Sequence, residues 1–495
     1  MNTNILKFTI LLVALFIGCM DDEKDMKVEV YETSASGNKH TKLDQYDAEN
    51  PISSIVINPE ESFQVITGIG GSFTESSAYL LNQLSQDNRK KILDAYFGDD
   101  GARYSLTRTH INSCDFSLSN YAYVEEGDTS LSSFSIDEDR DDIIPMIKDA
   151  MTISKDGFKI ISSPWTAPPW MKDNNSWVGG KLLKEFYPLW AKYFSKYIDA
   201  YNQEGIDIWG VTFENEPLGN GSNWESMHYS ADEMVDFVQN HLGPQLEADG
   251  HDVKIFGYDQ NRDEELIHWA EAMYDNDATS KYFDGTAVHW YASTFKWYGK
   301  SLTKVHQMAP EKYLIQTEGC IDAEVPKWQD DDWYWSKEAT DWGWDWAPED
   351  KKKDHPKYVP VYRYARDIIG SLNNWVDGWV DWNMVLDRQG GPNWFKNWCV
   401  APVIVDPDQD EVYFTPLYYT MLHFSRYIRP GAVRIGIEVS DPYLMATAVK
   451  NPDGSIAIMV LNMTLESKGF TIELNGNETP INIQSQALQT ILITP

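Results

Sequence analysis

Eight short apolar runs, each breaking off into polar or glycine-rich sequence, alternate with helical stretches along most of this chain. The runs cover 65–70, 103–110, 159–163, 208–213, 253–258, 285–289, 313–317 and 378–382. The clear helical stretches are 90–97, 141–154, 183–203, 231–248, 263–274 and 358–373. A chain that repeats strand and helix in this way pairs its strands in parallel and covers the sheet with the helices. Eight such units predict a (β/α)8 TIM barrel over 63–418, an α/β fold whose functional residues sit where the strands end. From residue 419 the pattern changes to short strands at 433–438, 443–450, 456–462, 469–474 and 487–494, punctuated by the turn sequences Asp453-Gly454 and Asn475-Gly476-Asn477. The alternating runs at 27–33 and 52–58 precede the barrel and need partners elsewhere. We therefore expect 27–62 and 419–495 to form one discontinuous β-sandwich beside it. At 495 residues the chain is long enough for a large barrel and a smaller domain.

The apolar run 8–17 is too short to span a bilayer as a permanent helix and is followed by Gly18-Cys19. A small residue before Cys resembles a bacterial lipobox. That resemblance implies a signal peptide over 1–19, lipidation of Cys19 and a charged tether over 20–26. Asp21-Asp22-Glu23 resembles the acidic signals of surface lipoproteins in the Bacteroidetes. The expected location is the bacterial outer membrane, lipid-anchored at the cell surface, with a periplasmic or secreted protein as the alternative. The formal charge of -35 argues against nucleic-acid partners and against adsorption to anionic membranes, leaving the lipid as the expected membrane contact. We expect a monomer. Without Cys19, three cysteines remain: Cys114, Cys320 and Cys399. An odd number gives no complete disulfide framework, and they read as small buried thiols. No cysteine or histidine spacing suggests a zinc site, and we expect no metal or other cofactor.

Two of the apolar runs end in a carboxylic acid. One passes through Val211-Thr212-Phe213-Glu214-Asn215-Glu216-Pro217, where the proline ends strand pairing. The other is Tyr313-Leu314-Ile315-Gln316-Thr317-Glu318-Gly319-Cys320. In the barrel, Glu216 ends the fourth strand and Glu318 the seventh, so both face the same rim cavity. Paired carboxyls suit glycosidic hydrolysis: about 5–5.5 Å apart they retain configuration, and about 6.5–9.5 Å apart they invert it. The chain also holds 20 Trp, whose flat rings suit the C–H faces of sugars. Trp328, Trp333, Trp335, Trp342, Trp344 and Trp346, interleaved with aspartates after the seventh strand, are expected to form a sugar-stacking cleft wall.

Several further segments carry a family resemblance. They are Gly68-Ile69-Gly70-Gly71-Ser72-Phe73-Thr74-Glu75, Ser113-Cys114-Asp115-Phe116-Ser117, Ser163-Pro164-Trp165-Thr166-Ala167-Pro168, Glu214-Asn215-Glu216-Pro217, Val288-His289-Trp290-Tyr291, Glu318-Gly319-Cys320, Asp381-Trp382-Asn383 and Gly390-Gly391-Pro392-Asn393-Trp394. In this order they resemble glycoside hydrolase family 30, which includes lysosomal glucosylceramidase and microbial β-glucanases. The resemblance implies a retaining mechanism on a β-glucoside. It makes Glu318 the nucleophile, Glu216 the acid/base and Asn215 the holder of the sugar 2-hydroxyl, with Glu214 structural. Asp115, Trp165, Trp382 and Asn397 would grip the glucose. Arg108, His289 and Tyr291 would surround the nucleophile, with Arg108 and Tyr291 favouring its ionised form. The family needs no cofactor. The Asp115 and Trp382 motifs are of the glucosylceramidase-like rather than the xylan-directed kind. The expected substrate is β-1,6-glucan of the fungal cell-wall type, cut by an endo-β-1,6-glucanase. A glucosylceramidase or exo-acting β-glucosidase is the alternative enzyme. A non-catalytic surface glycan-binding lipoprotein is the alternative of another class.

Overall fold

The computed structural model describes residues 27–219, 223–293, 296–322 and 359–494. The leader with Cys19, the tether and the Trp-rich stretch 328–346 lie outside the described residues. The eight expected strands are all present: β1 (Gly68–Phe73), β2 (Leu106–Ile111), β3 (Lys159–Pro164), β4 (Gly210–Thr212), β5 (Lys254–Asn261), β6 (Gly285–His289), β7 (Tyr313–Glu318) and β8 (Gly378–Asn383). They pair in parallel in chain order and close, β8 on β1, into a barrel. Gly70 shows how tight the closure is: a Cβ there would lie 2.1 Å from the Leu106 carbonyl oxygen.

The two-residue period of the strands sorts the barrel interior by chemistry. Leu106, Ile161, Phe256, Ala287, Ile315 and Val380 form a buried apolar floor. Two residues nearer the C-terminal rim, Arg108, Ser163, His289, Thr317 and Trp382 repeat the same inward direction. On β5 the count slips. The register shifts between Tyr258 and Gln260, and Tyr258 and Asp259 both take positive φ. Tyr258 thereby turns out to pack on Trp269, and Asp259, three residues past Phe256, enters the polar layer. A second shift, between Gln316 and Glu318 on β7, lets consecutive residues Thr317 and Glu318 both reach the interior.

The helices follow the sequence with instructive exceptions. The stretch 231–248 is broken into Ala231–Phe237, a π-turn Val238–Leu242, and Gly243–Asp249. Pro244 has no N–H for the carbonyl of Asn240, so the ladder slips by one residue there. Helices Glu75–Gln83, Gly299–Met308 and Pro416–Ser425 escape the sequence reading. In Pro416–Ser425 every residue but Tyr419 is buried, so no polar face marks its period. This helix spans residue 419, where the composition changes, and its Ser425 hydroxyl bonds the Ile69 carbonyl of β1 at 3.0 Å.

Both chain ends build the second domain. Lys27–Ser34 runs antiparallel to Ala487–Thr494 over its whole length. Ser53–Val65 pairs antiparallel with Val433–Val439 and parallel with Lys468–Leu474. Val30, Ile458 and Ile491 meet Phe470, Ile472 and Ile481 in one buried core. His423, buried on the barrel side, ties the domains together through Thr490 (2.8 Å) and Thr33 (2.9 Å).

Three buried carboxyls give the fold a pH signature. Burial pushes Glu75 up to about 7, Asp142 up to about 8 and Asp377 up to about 7. In the unfolded chain they ionise near pH 4. Their neutral forms therefore contribute stability in full below about pH 4, and this is lost as pH rises through 7–8. Above pH 6.5, where the buried neutral histidines no longer add stability with rising pH, we expect the thermal unfolding midpoint to fall up to pH 8.5, with a stability loss on the order of a few kcal/mol. A midpoint that is flat or rises over that window, followed by circular dichroism, would contradict these environments.

Candidate active site

The strand ends converge on a cleft of about 260 Å³ lined by Asp115, Trp165, Asn215, Glu216, Tyr291, Glu318, Trp382 and Asn397, together with Gly219, Trp224, Gln260, Asn261, Cys320 and Cys399. Each of the two strand-end carboxyls is aimed by its own backbone. Glu216 follows β4 with φ 50°, a left-handed conformation rare outside glycine, and its N–H donates to the Asp259 carbonyl at 3.0 Å. Glu318 reaches the cleft through the register shift that ends β7.

A row of alternating charge joins them. Arg108 Nη1 donates to Glu318 Oε2 at 2.5 Å, and Arg108 Nη2 donates to Asp259 Oδ2 at 2.8 Å. Asp259 Oδ1 lies 3.0 Å from His289 Nε2, and His289 Nδ1 lies 3.3 Å from Glu216 Oε1. Arg108, Asp259 and His289 are wholly buried. Burial works against the charge on His289, but Glu318 and Asp259 outweigh it and raise the imidazole to about 9. Burial likewise opposes ionisation of Asp259, yet Arg108 and His289 hold it far below the usual carboxylate range. Thr212 and Thr317 hydroxyls, at 2.7 and 2.6 Å, complete its shell. Burial pushes Glu318 up, and nearby Glu216 adds to this; the positive charges of His289 and Arg108 and the Tyr291 hydroxyl at 2.8 Å pull it back.

The remaining cleft residues form a floor and a wall. Trp165 and Trp382 stack with centroids 5.2 Å apart, and the Arg108 guanidinium lies over both rings. Asn215 Oδ1 accepts from Arg108 Nη2 at 2.8 Å, which leaves its amide N–H groups as donors. Asn397 Nδ2 donates to Asp115 Oδ2 at 3.0 Å, while Asp115 Oδ1 is buried with no partner among the described residues. Burial pushes Asp115 well up, with Glu318 and Glu225 adding to it. All ten site residues expected from the sequence, apart from the lipidated Cys19, fall in the cleft or in the charged row beneath it. His289 bonds Glu216 and Asp259 rather than Glu318. Glu214 is fully buried outside the cleft, where burial pushes its carboxyl well up and the charge of Lys172 pulls it partly back.

This geometry fits what the sequence matches. Residues 66–428 match the glycosyl hydrolase family 30 TIM-barrel domain, and residues 431–491 match the family 30 beta sandwich domain. The chain belongs to glycosyl hydrolase family 30. Among its relatives is the lysosomal acid glucosylceramidase of Mus musculus, 33% identical over 429 residues, covering 84% of this chain and 79% of the relative. An endo-1,6-beta-D-glucanase of Neurospora crassa is 28% identical over 443 residues, covering 85% of this chain and 83% of the relative. Among solved structures, an endo-beta1,6-glucanase superposes with TM-score 0.80 at 30% identity, covering 94% of this chain and 99% of that chain. SrfJ from Salmonella typhimurium gives TM-score 0.82 at 29% identity, with the same coverages of 94% and 99%. This family 30 chain is a glycoside hydrolase with a closed barrel and a β-sandwich.

Asp259 is the central residue that sequence reasoning missed. Its segment, Gly257-Tyr258-Asp259-Gln260-Asn261, ends β5 as polar residues end the other strands, and that position was the available signal. Trp224 and Cys399 also escaped: Trp224 comes from a loop, and Cys399 from a two-residue strand outside the barrel.

Proposed function

We propose that this enzyme is a retaining glycosidase acting on β-glucosides of primary alcohols, foremost an endo-β-1,6-glucanase on β-1,6-linked glucan. The observation that carries the reading is the cleft itself: two strand-end carboxyls joined by a buried charge row, over a stacked Trp pair and an Asp115 oxygen with no partner among the described residues. Glu318, with its oxygens held by Arg108 and Tyr291, attacks the anomeric carbon and forms a glycosyl ester. Glu216, its Oε1 fixed by His289, gives the proton on its other oxygen to the departing glycosidic oxygen. Glu216 then takes a proton from water, the water attacks the same carbon, and Glu318 is released. The Trp165–Trp382 floor supports the sugar ring, Asp115 Oδ1 takes a sugar hydroxyl, and Asn215 donates to the 2-hydroxyl as the transition state forms.

The two kinds of relative share one chemical feature. In β-1,6-glucan and in glucosylceramide alike, β-glucose is attached to the oxygen of a primary alcohol. A glucosylceramidase or exo-β-glucosidase is therefore the second reading, favoured by the 33% identity to the mouse enzyme. Initial products separate them. Oligosaccharides released from β-1,6-glucan before free glucose support the endo-glucanase; glucose alone, or turnover of glucosylceramide without oligosaccharides, favours the second. No oligosaccharide from the glucan sinks the first reading. The lipobox-like sequence around Cys19 supports an exported, lipid-anchored enzyme, suited to an insoluble or external polysaccharide.

A further inference from the structure

The cleft holds a pair of groups that the proposed hydrolysis does not use. Cys320 and Cys399 both line it, and their sulfurs are 3.3 Å apart. They sit on facing strands: Ile321–Asp322 pairs antiparallel with Cys399–Val400, so Cys399 is opposite Asp322 and Cys320 immediately precedes the pairing. The third described thiol, Cys114, has the Ser117 hydroxyl at 3.8 Å. It belongs to the same apolar cluster but does not line the cleft. Two thiols in contact across a strand pair, at the wall of the cleft, need only a modest side-chain rotation to reach bonding distance.

We propose that Cys320 and Cys399 are a redox modification site that closes to a disulfide across the wall of the cleft. The oxidant is a small peroxide able to enter the cleft. One thiol loses its proton and attacks the peroxide oxygen, the O–O bond breaks, and a sulfenic acid and water form. The second sulfur then displaces hydroxide from the first, giving the S–S bond and a second water. Both sulfurs are oxidised and one peroxide is reduced. The bridge joins the strand just after Glu318 to the strand just after Asn397, closing a loop of 79 residues. Closing so long a loop stabilises the fold. It also has a local consequence. The Tyr291 hydroxyl lies 2.8 Å from Glu318 Oε1 and 3.4 Å from Cys320 Sγ. Tyr291 has one proton, engaged by the carboxylate, and the Cys320 S–H donates to Cys399 Sγ, so the Tyr291 oxygen rests against the Cys320 sulfur. Drawing Cys320 Sγ to bonding distance from Cys399 moves the sulfur away from the Tyr291 oxygen and loosens the hold of Tyr291 on Glu318.

The full chain is treated with hydrogen peroxide, alkylated and mapped by mass spectrometry, with a reduced sample as reference. The expected result is a peptide pair linked through Cys320 and Cys399, cleaved by dithiothreitol, with Cys114 alkylated in both samples. The melting temperature should rise by several degrees on oxidation. Activity should fall about 3- to 10-fold, the worth of one hydrogen bond, and return on reduction. In Cys399→Val the linked peptide, the stabilisation and the reversible loss should all be absent. If Cys320 and Cys399 are both recovered alkylated after peroxide, or either is found linked to Cys114, the proposal falls. The mapping needs no substrate, so its outcome is independent of the assignment of hydrolysis.

Discussion

Replacing Glu318 by Gln should lower kcat on β-1,6-glucan by at least about 10⁴-fold, with the protein still folded. The amide keeps the shape of the carboxyl and can still accept from Tyr291, so the cleft floor and the sugar contacts stay in place. What it lacks is the charge that attacks the anomeric carbon and the ability to leave again as a carboxylate. Arg108 loses one of its two carboxylate partners but keeps Asp259 at 2.8 Å, so the buried guanidinium is not left unpaired. The variant should therefore bind oligosaccharide about as well as the parent, which calorimetry can read alongside the rate. A Glu318→Gln protein that retains its rate within tenfold removes Glu318 from the nucleophile's role.

The sequence carried much of this site because barrel strands write their chemistry at their ends. Apolar runs stopping at Glu216 and Glu318 mark strand termini, and a closed parallel barrel brings the fourth and seventh termini to one rim. The rest depended on features that local pattern does not record. Asp259 enters the interior because β5 slips its register, and a two-residue period places Tyr258 there instead. Pro416–Ser425 is helical without an amphipathic face because nearly all of it is buried. That the two chain ends share a domain was legible because the early strands lacked closer partners; the pairing of Lys27–Ser34 with Ala487–Thr494, which spans almost the whole chain, was not. The Cys320–Cys399 contact joins residues that the linear spacing gives no reason to connect. Each of these misses is a tertiary override of a local rule; the cysteine contact falls in the cleft and Asp259 in the charged row beneath it.

The sharpest division between readings comes from Glu216→Ala tested on two leaving groups. A sugar or ceramide primary alcohol is too basic to leave as an alkoxide, so on glucan the loss of the acid should cost about 10²–10⁴-fold in kcat/KM. A dinitrophenolate leaves without help, so kcat/KM on the aryl β-glucoside should stay close to that of the parent. The second step still lacks its base. Water then attacks the glycosyl ester slowly, the ester accumulates, and kcat and KM on the aryl glucoside fall together. Azide needs no base and is small enough to occupy the space left by the missing carboxyl. It should restore kcat and release β-glucosyl azide, with the configuration of the substrate preserved by two successive inversions. In the parent His289 fixes Glu216 Oε1 at 3.3 Å. A Glu216→Ala protein with equal losses on both substrates would place Glu216 outside proton transfer. An α-configured azide would mean a single inversion, and with it the covalent intermediate on Glu318 would be lost.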